Sequence, residues 1–311
     1  MTSDPDRFRL IERPVADHDP AKARDRLAAR DLPPTLRDFR ASAARFDPSE
    51  ELLTATNMAL SVGAPLLLTG EPGTGKTQVA WFLGWYFGIP TFDFQVKSTS
   101  TAQDLCWDFD AVGYLHFAQT GDRSLGKCRE DFLKQRALWL AYECGTDAVV
   151  LIDEIDKAPR DFPNDLLHEL DRHEFPHPFD ETRSIEPKSG RPPIVVVTSN
   201  DERRLPDAFL RRCIYHRIEL TEDLVARAVA ARAGDFPRLS AATKTIALRR
   251  FRELREREDL EKKPSTAEVL TWLTILSARG VSADAIDEIP LAELPAVGAL
   301  VKDANDLALL R

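Results

Sequence analysis

The sequence predicts an α/β chain: a parallel β-sheet covered on both faces by helices, followed by a smaller all-helical domain. Three observations carry that reading. Short apolar runs rich in branched side chains alternate with helical patterns between about residues 65 and 220. A glycine-rich octapeptide stands between the first of these runs and the helix after it. Beyond Thr221 the strand-like runs cease and only helical periodicity remains. The length, 311 residues, suits two domains of ordinary size.

Residues 1–46 are rich in Pro, Arg and Asp and are expected to form an irregular arm with one helix near Ala21–Arg30. Asp47-Pro48-Ser49-Glu50 then offers an N-cap carboxylate, a proline at the first helical position and a glutamate three residues after the cap. Leu52, Leu53, Met58 and Leu60 continue that helix to about Gly63. Strands are expected at Pro65–Thr69, Thr91–Val96, Ala148–Ile152 and Ile194–Thr198, with a fifth at Tyr215–Leu220. Continuous apolar runs of this kind are buried on both faces, as in parallel sheets. Helices are expected at Gln78–Phe87, Glu130–Glu143 and Asn164–Glu174 between them. Three more follow at Leu224–Ala233, Ala241–Glu258 and Thr266–Ala278, the last opened by Pro264 and a Ser265–Glu268 capping box. The tail Leu291–Leu310 is expected to add one more helix. The plan is an arm (1–46), an α/β domain (47–220) and a helical domain (221–311).

Composition sets limits on function. With 42 basic residues against 51 acidic ones, a net charge of −9 and a pI near 5.3, the chain is not built to coat nucleic acid. The longest apolar stretch, Ala80–Ile89, is half of the ~20 residues a membrane helix needs. The N-terminal MTSDPDRFRLIERP alternates charge and lacks the apolar centre of a secretory signal. Cys106, Cys128, Cys144 and Cys213 lie far apart with no zinc spacing and read as reduced thiols. Together these predict a soluble cytoplasmic protein.

Gly70-Glu71-Pro72-Gly73-Thr74-Gly75-Lys76-Thr77 fits Gly-x-x-x-x-Gly-Lys-[Ser/Thr] at every position, with a strand before it and a helix after it. Glycines let successive backbone N–H groups turn into one anion-sized hollow, and the helix N-terminus adds its positive end. Lys76 can reach the β- and γ-phosphates of a nucleotide, the Thr77 hydroxyl is a magnesium ligand, and Gln78 follows at the cradle's edge. About 75 residues on, the run Val149–Ile152 ends in Asp153-Glu154. A buried parallel strand delivers its C-terminal residues to the crevice where ligands sit. Asp153 is placed to hold Mg²⁺ through water, and Glu154 to polarise the attacking water. Asn200, at the end of another strand, offers an amide to the lytic water or the γ-phosphate.

With these motifs in hand, residues 47–311 resemble the AAA+ ATPases, and within them the MoxR-like group. GEPGTGKT is similar to the Walker A motif, VVLIDEID to Walker B with its glutamate, and Asn200 falls at the sensor 1 position. Leu205–Cys213 (LPDAFLRRC) resembles the group's arginine-finger segment, which puts Arg212 at the finger with Arg211 beside it. Residue types alone give a different reading, in which Arg203, Arg204, Arg211, Arg212 and Arg217 form a solvated face paired with nearby acids. The resemblance also implies a β-hairpin inserted at about 102–124, with Tyr114–Phe117 as a strand and Thr120-Gly121-Asp122 as the turn. Lys263–Leu273 resembles the start of the lid helix, yet no arginine opens it, which leaves Lys262 or Lys263 to stand in for sensor 2.

Three further features are read as structural. His168, His173 and His177 sit among prolines that break any common helical face, so no transition-metal site is expected. Arg249–Lys263 alternates in sign and reads as a solvated helix laced with ion pairs. Trp81, Phe82, Trp85, Tyr86 and Phe87 read as core rather than as a platform for bases.

The resemblance implies Mg²⁺-dependent ATP hydrolysis in a homo-oligomeric ring, a hexamer, coupled to chaperone-like remodelling of a client or adaptor such as a von Willebrand factor A domain protein. The alternative is a slowly hydrolysing ATP-gated switch or scaffold in a bacterial stress or defence assembly. A nucleic-acid motor is disfavoured by the acidic balance.

Overall fold

The computed structural model describes residues 19–28, 38–120 and 128–311. The chain divides into two compact units. One is Pro48–Glu219; in the other, Leu220–Arg311 is joined by the described residues before Pro48. The arm was expected to be irregular with one helix. Its last residues pack with the helical unit, where Arg45 pairs with Asp235 at 2.8 Å and Arg227 donates to the Asp47 carbonyl at 3.0 Å.

The first unit is an α/β fold. Its strands in chain order are β1 (Leu66–Thr69), β2 (Thr91–Gln95), β3 (Trp107–Phe109), β4 (Leu133–Gln135), β5 (Val149–Asp153), β6 (Phe175–His177), β7 (Asp180–Ile185), β8 (Ile194–Ser199) and β9 (Ile214–Arg217). Five of them form one parallel sheet in the order β2-β5-β8-β1-β9. Leu66, Leu67, Leu68 and Val149–Ile152 are fully buried, as expected of strands covered on both faces. Thr69 stands opposite Ser199 and Ile152 opposite Val197, so the C-terminal ends of β1, β8 and β5 lie side by side.

The helix Lys76–Phe87 follows β1. Its buried side is Val79, Ala80, Leu83 and Gly84, whereas Trp85, Tyr86 and Phe87 are exposed and Trp81 and Phe82 only half-buried. The expectation that these aromatics form core is therefore wrong. Small residues face the sheet because the approach is close; a Cβ on Gly84 would sit 2.0 Å from the Thr91 hydroxyl oxygen. The rings cover the other side and one another, Tyr86 edge-on to Phe87 at 5.1 Å.

The inserted hairpin is built from other residues than expected. Tyr114–Phe117 lies in a helix, Ala111–Thr120, whose first turn is capped by Asp110 accepting from the Gly113 amide at 2.8 Å. Three-residue spacing brings Tyr114 and Phe117 to one side, both against Phe132. The antiparallel strands are β3 and β4, which flank that helix. Of the expected turn, Gly121 and Asp122 lie outside the described residues. The β4 strand and a 3-10 turn at Arg129–Phe132 also shorten the expected helix Glu130–Glu143 to Ala137–Glu143. The helix expected over Asn164–Glu174 is two pieces, Phe162–Asp165 and Leu167–Arg172. The β6–β7 hairpin had no counterpart in the sequence reading, which took Pro176 and Pro178 only as breakers. Ser49, not Asp47, caps the helix Glu50–Val62, accepting from the Leu52 amide at 3.2 Å. In the arm the described helix is Pro20–Ala28, and Ala29 and Arg30 lie outside the described residues.

The helical unit contains Glu222–Ala231, Ala241–Glu256 and Thr266–Arg279. Trp272 is fully buried at its centre and donates its indole N–H to the Pro295 carbonyl at 2.7 Å. The tail is not one helix. Pro290, Pro295 and Gly298 reduce it to 3-10 turns at Leu291–Glu293 and Val297–Ala299 and a helix at Ala304–Leu309. Buried Asp306 accepts the amides of Glu261 and Lys262 at 2.9 and 3.0 Å and so pins the loop that carries the two lysines. The capping box at Ser265 and Glu268 is present. Ser265→Ala removes the side-chain acceptor of its first turn, and thermal unfolding should show a loss of about 1 kcal/mol. Among the described residues no helix is long and apolar enough to cross a membrane.

Candidate functional site

The glycine loop leaves β1 at Gly70 and enters the helix at Lys76. Gly70, Gly73 and Gly75 have φ of 138°, 78° and 91°, a run of backbone that other residues rarely adopt. Thr74 is buried and its hydroxyl donates to the Glu71 carbonyl at 2.9 Å, which closes the loop on itself. Glu71, Pro72 and Gly73 form its exposed rim, and Gln78 is buried in the first turn of the helix. The Gln78 amide of that first turn donates to the Gly75 carbonyl at 3.0 Å.

Lys76 is only 6% exposed. Its ammonium donates to the carbonyls of Gly70 at 2.7 Å and Glu71 at 2.9 Å. Burial pulls its pKa below the usual lysine range, opposed by the nearby carboxylates of Asp156, Asp153, Asp201 and Glu154. A buried cation facing four acids at the end of a sheet is a place prepared for a polyanion with its own counter-ion.

The acid strand meets the loop directly. The Thr77 hydroxyl donates to Asp153 Oδ1 at 2.9 Å, and the Thr198 hydroxyl donates to the same oxygen at 2.6 Å. Thr198 also accepts the Glu154 amide at 2.8 Å, so one β8 side chain sets both acids. Glu154 is left-handed (φ 59°), an uncommon conformation for a non-glycine residue, and this turns its side chain out of the strand register. Glu154 Oε2 accepts from Gln95 Nε2 at 2.6 Å and from Lys157 Nζ at 2.5 Å. Asn200 Nδ2 lies 3.4 Å from Glu154 Oε1. The structure thus brings Gly70–Gln78, Asp153, Glu154 and Asn200 to the C-terminal end of the sheet's three central strands.

Arg211 and Arg212 follow the short helix Asp207–Leu210 and are both exposed. Arg212 pairs with Asp171 at 2.8 Å and donates to the Ala208 carbonyl at 3.0 Å. Arg204 pairs with Asp207 and Arg217 with Asp201. Within one chain Arg204, Arg212 and Arg217 thus have acidic partners of the kind the plainer reading gave the cluster.

Sequence reasoning missed Gln95, Lys157, Thr198 and Asp156. Position gave a usable signal for two of them: Thr198 precedes Asn200 by two residues on the same strand, and Asp156 closes the DEID run. Gln95 and Lys157 carry no such mark, because a sheet neighbour and a turn bring them to Glu154.

The donor set fits a nucleoside triphosphate with magnesium. Thr77 and Asp153 offer hard oxygens of the kind that cation takes. The loop backbone approaches so closely that a Cβ on Gly70 would lie 2.3 Å from the Ile218 carbonyl oxygen.

A parallel sheet carrying this loop, a buried lysine and an acid strand beside it defines the class, a P-loop nucleoside triphosphatase. The model of the ATPase family associated with various cellular activities (AAA) matches residues 66–221, half of the chain. The protein belongs to that family and is an ATPase. No curated protein matches the sequence significantly. Among solved structures, the chain is similar to a candidate ATPase from Cytophaga hutchinsonii (12% identity, 77% of each chain, TM-score 0.42). It is also similar to NtrX from Brucella abortus in complex with ADP (13% identity, 86% of this chain and 56% of that one, TM-score 0.48). A third is a mutant of RuvB from Thermotoga maritima (15% identity, 75% of this chain and 71% of that one, TM-score 0.41).

Proposed function

We propose that the protein is a Mg²⁺-dependent ATPase of the MoxR-like group, working as a homo-oligomeric ring, a hexamer, that remodels or activates a partner protein. The observation that carries the hydrolytic part is the junction of Thr77 and Asp153 at 2.9 Å, at the base of the glycine loop. Thr77 and Asp153 are the residues that would hold a magnesium ion, which when bound would neutralise charge on the nucleotide's phosphates. Lys76 leaves the two loop carbonyls for phosphate oxygens. Glu154 accepts the proton of the attacking water while Asn200 orients that water. The overall domain plan follows the same reading: the helical unit is the lid, and Lys262 or Lys263 serves where a sensor 2 arginine would stand. A von Willebrand factor A domain protein is the class of adaptor this group suggests.

Arg212, with Arg211 beside it, serves the neighbouring subunit's γ-phosphate. The Asp171 pair does not prevent this, because an exposed ion pair contributes about 0–1 kcal/mol and exchanges readily. A finger of this kind contributes about 10³-fold or more to turnover. Lys76→Ala and Arg212→Ala subunits should each be inactive alone. Mixed together they should regain ATPase activity, since some interfaces then join an intact cradle to an intact finger. Failure to recover in rings shown to be mixed would remove the shared site.

One observation favours a second reading, the slowly hydrolysing switch or scaffold of a stress or defence assembly. Glu154 is held by both Gln95 and Lys157, so its carboxylate has to be released before it acts as a base. Steady-state phosphate release by the assembled protein separates the two. A rate that stays slow while ATP changes the assembly itself supports the switch.

A further inference from the structure

Asp156 is 2% exposed, in the 3-10 turn that follows β5. Its Oδ2 accepts two backbone amides from the loop after β8, Asn200 at 3.0 Å and Glu202 at 3.0 Å. Between them Asp201 is left-handed (φ 60°), so the carboxylate holds a backbone turn that a non-glycine residue adopts only under constraint. Its Oδ1 is buried and has no hydrogen-bond partner. Two neutral amides and one empty oxygen are poor compensation for burying a carboxylate.

The geometry downstream is finely set. Asn200 Nδ2 to Glu154 Oε1 is 3.4 Å, near the limit of a hydrogen bond, so a small displacement of the Asn200 backbone breaks it. Thr198 fixes Asp153 and the Glu154 amide but not Asn200.

We propose that Asp156 is a positioning residue for hydrolysis: its buried carboxylate clamps the Asn200 and Glu202 amides and thereby holds the Asn200 side chain against Glu154. This rests on the reading of Glu154 and Asn200 as the water-activating pair. Asp156 touches neither nucleotide nor water itself. It sets where the amide of Asn200 stands when the phosphate is attacked.

The test measures kcat, KM and the affinity for a fluorescent ATP analogue on the full chain. Asp156→Ala is expected to lower kcat more than tenfold with KM and nucleotide affinity within threefold. Asp156→Asn, which keeps an acceptor for both amides, should recover kcat to within about threefold of the parent. In an Asn200→Ala background, Asp156→Ala should cause no further loss of kcat, because it acts through Asn200. Should the alanine variant fail to fold, Asp156→Glu keeps the charge but pushes the two amides out of register. It should show the same kcat loss. Parental kcat in Asp156→Ala, an equal fall in kcat and affinity, or full additivity with Asn200→Ala would each overturn the proposal. A parent protein without turnover, or one whose turnover survives Glu154→Gln, would instead overturn the hydrolytic reading beneath it.

Discussion

Glu154→Gln is expected to lower steady-state ATP turnover by about 10²–10⁴-fold, the range that a positioned general base contributes, while nucleotide affinity stays nearly unchanged. The substitution is close to isosteric. It keeps the left-handed backbone and the amide bond to Thr198, and it leaves the loop, Lys76 and Asp153 untouched. What it removes is basicity, together with the charge that attracts Lys157. Binding and chemistry therefore part company, which a surface carboxylate would not produce. Phosphate release under saturating Mg-ATP, set beside titration with a fluorescent nucleotide, measures both. Parental turnover in the variant would return Glu154 to the surface charge that residue type alone suggests.

The fold class was legible because its signals are local. The three central sheet strands, β1, β5 and β8, are short runs of branched apolar residues, and the loop's spacing is written in eight consecutive positions. Tyr114–Phe117 shows where local signals mislead. Four residues that favour a strand lie in a helix because the surrounding rings, Phe109 and Phe132, reward the helical spacing of Tyr114 and Phe117. The helix after the loop misled in another way. An all-apolar segment has no periodicity to show which side is inward, and the small residues Ala80 and Gly84 took the sheet. In the site, the residues aligned along one strand or loop could be read in order. Those supplied by a neighbour across the sheet, such as Gln95 toward Glu154, depend on strand order, which no single sequence states.

Gly70→Ala is expected to destabilise the α/β unit by about 3 kcal/mol or more, among the largest effects of a single substitution, and to weaken nucleotide binding with it. Two terms add. A non-glycine residue at φ 138° is strained by about 1–3 kcal/mol before any contact is considered. The new Cβ also falls 2.3 Å from the Ile218 carbonyl oxygen and 3.2 Å from its carbon. Ile218 cannot withdraw cheaply, because its amide donates to the Thr69 carbonyl at 2.8 Å and Thr69 stands opposite Arg217 in the β1–β9 ladder. The loop must move instead, carrying the carbonyls of Gly70 and Glu71 that hold Lys76. A hydrogen bond to a charged group contributes about 1.5–3 kcal/mol, so losing one weakens affinity by about tenfold to a hundredfold. Gly88→Ala is the control. That glycine is also left-handed, at φ 64°, but nothing lies within 4 Å of the added Cβ. It should cost only about 1–2 kcal/mol of backbone strain and leave nucleotide affinity at the parent value. Thermal unfolding and nucleotide titration of the two variants thus separate strain from close approach. Equal effects in both would mean that the contact between the loop and Ile218 does not support the cradle.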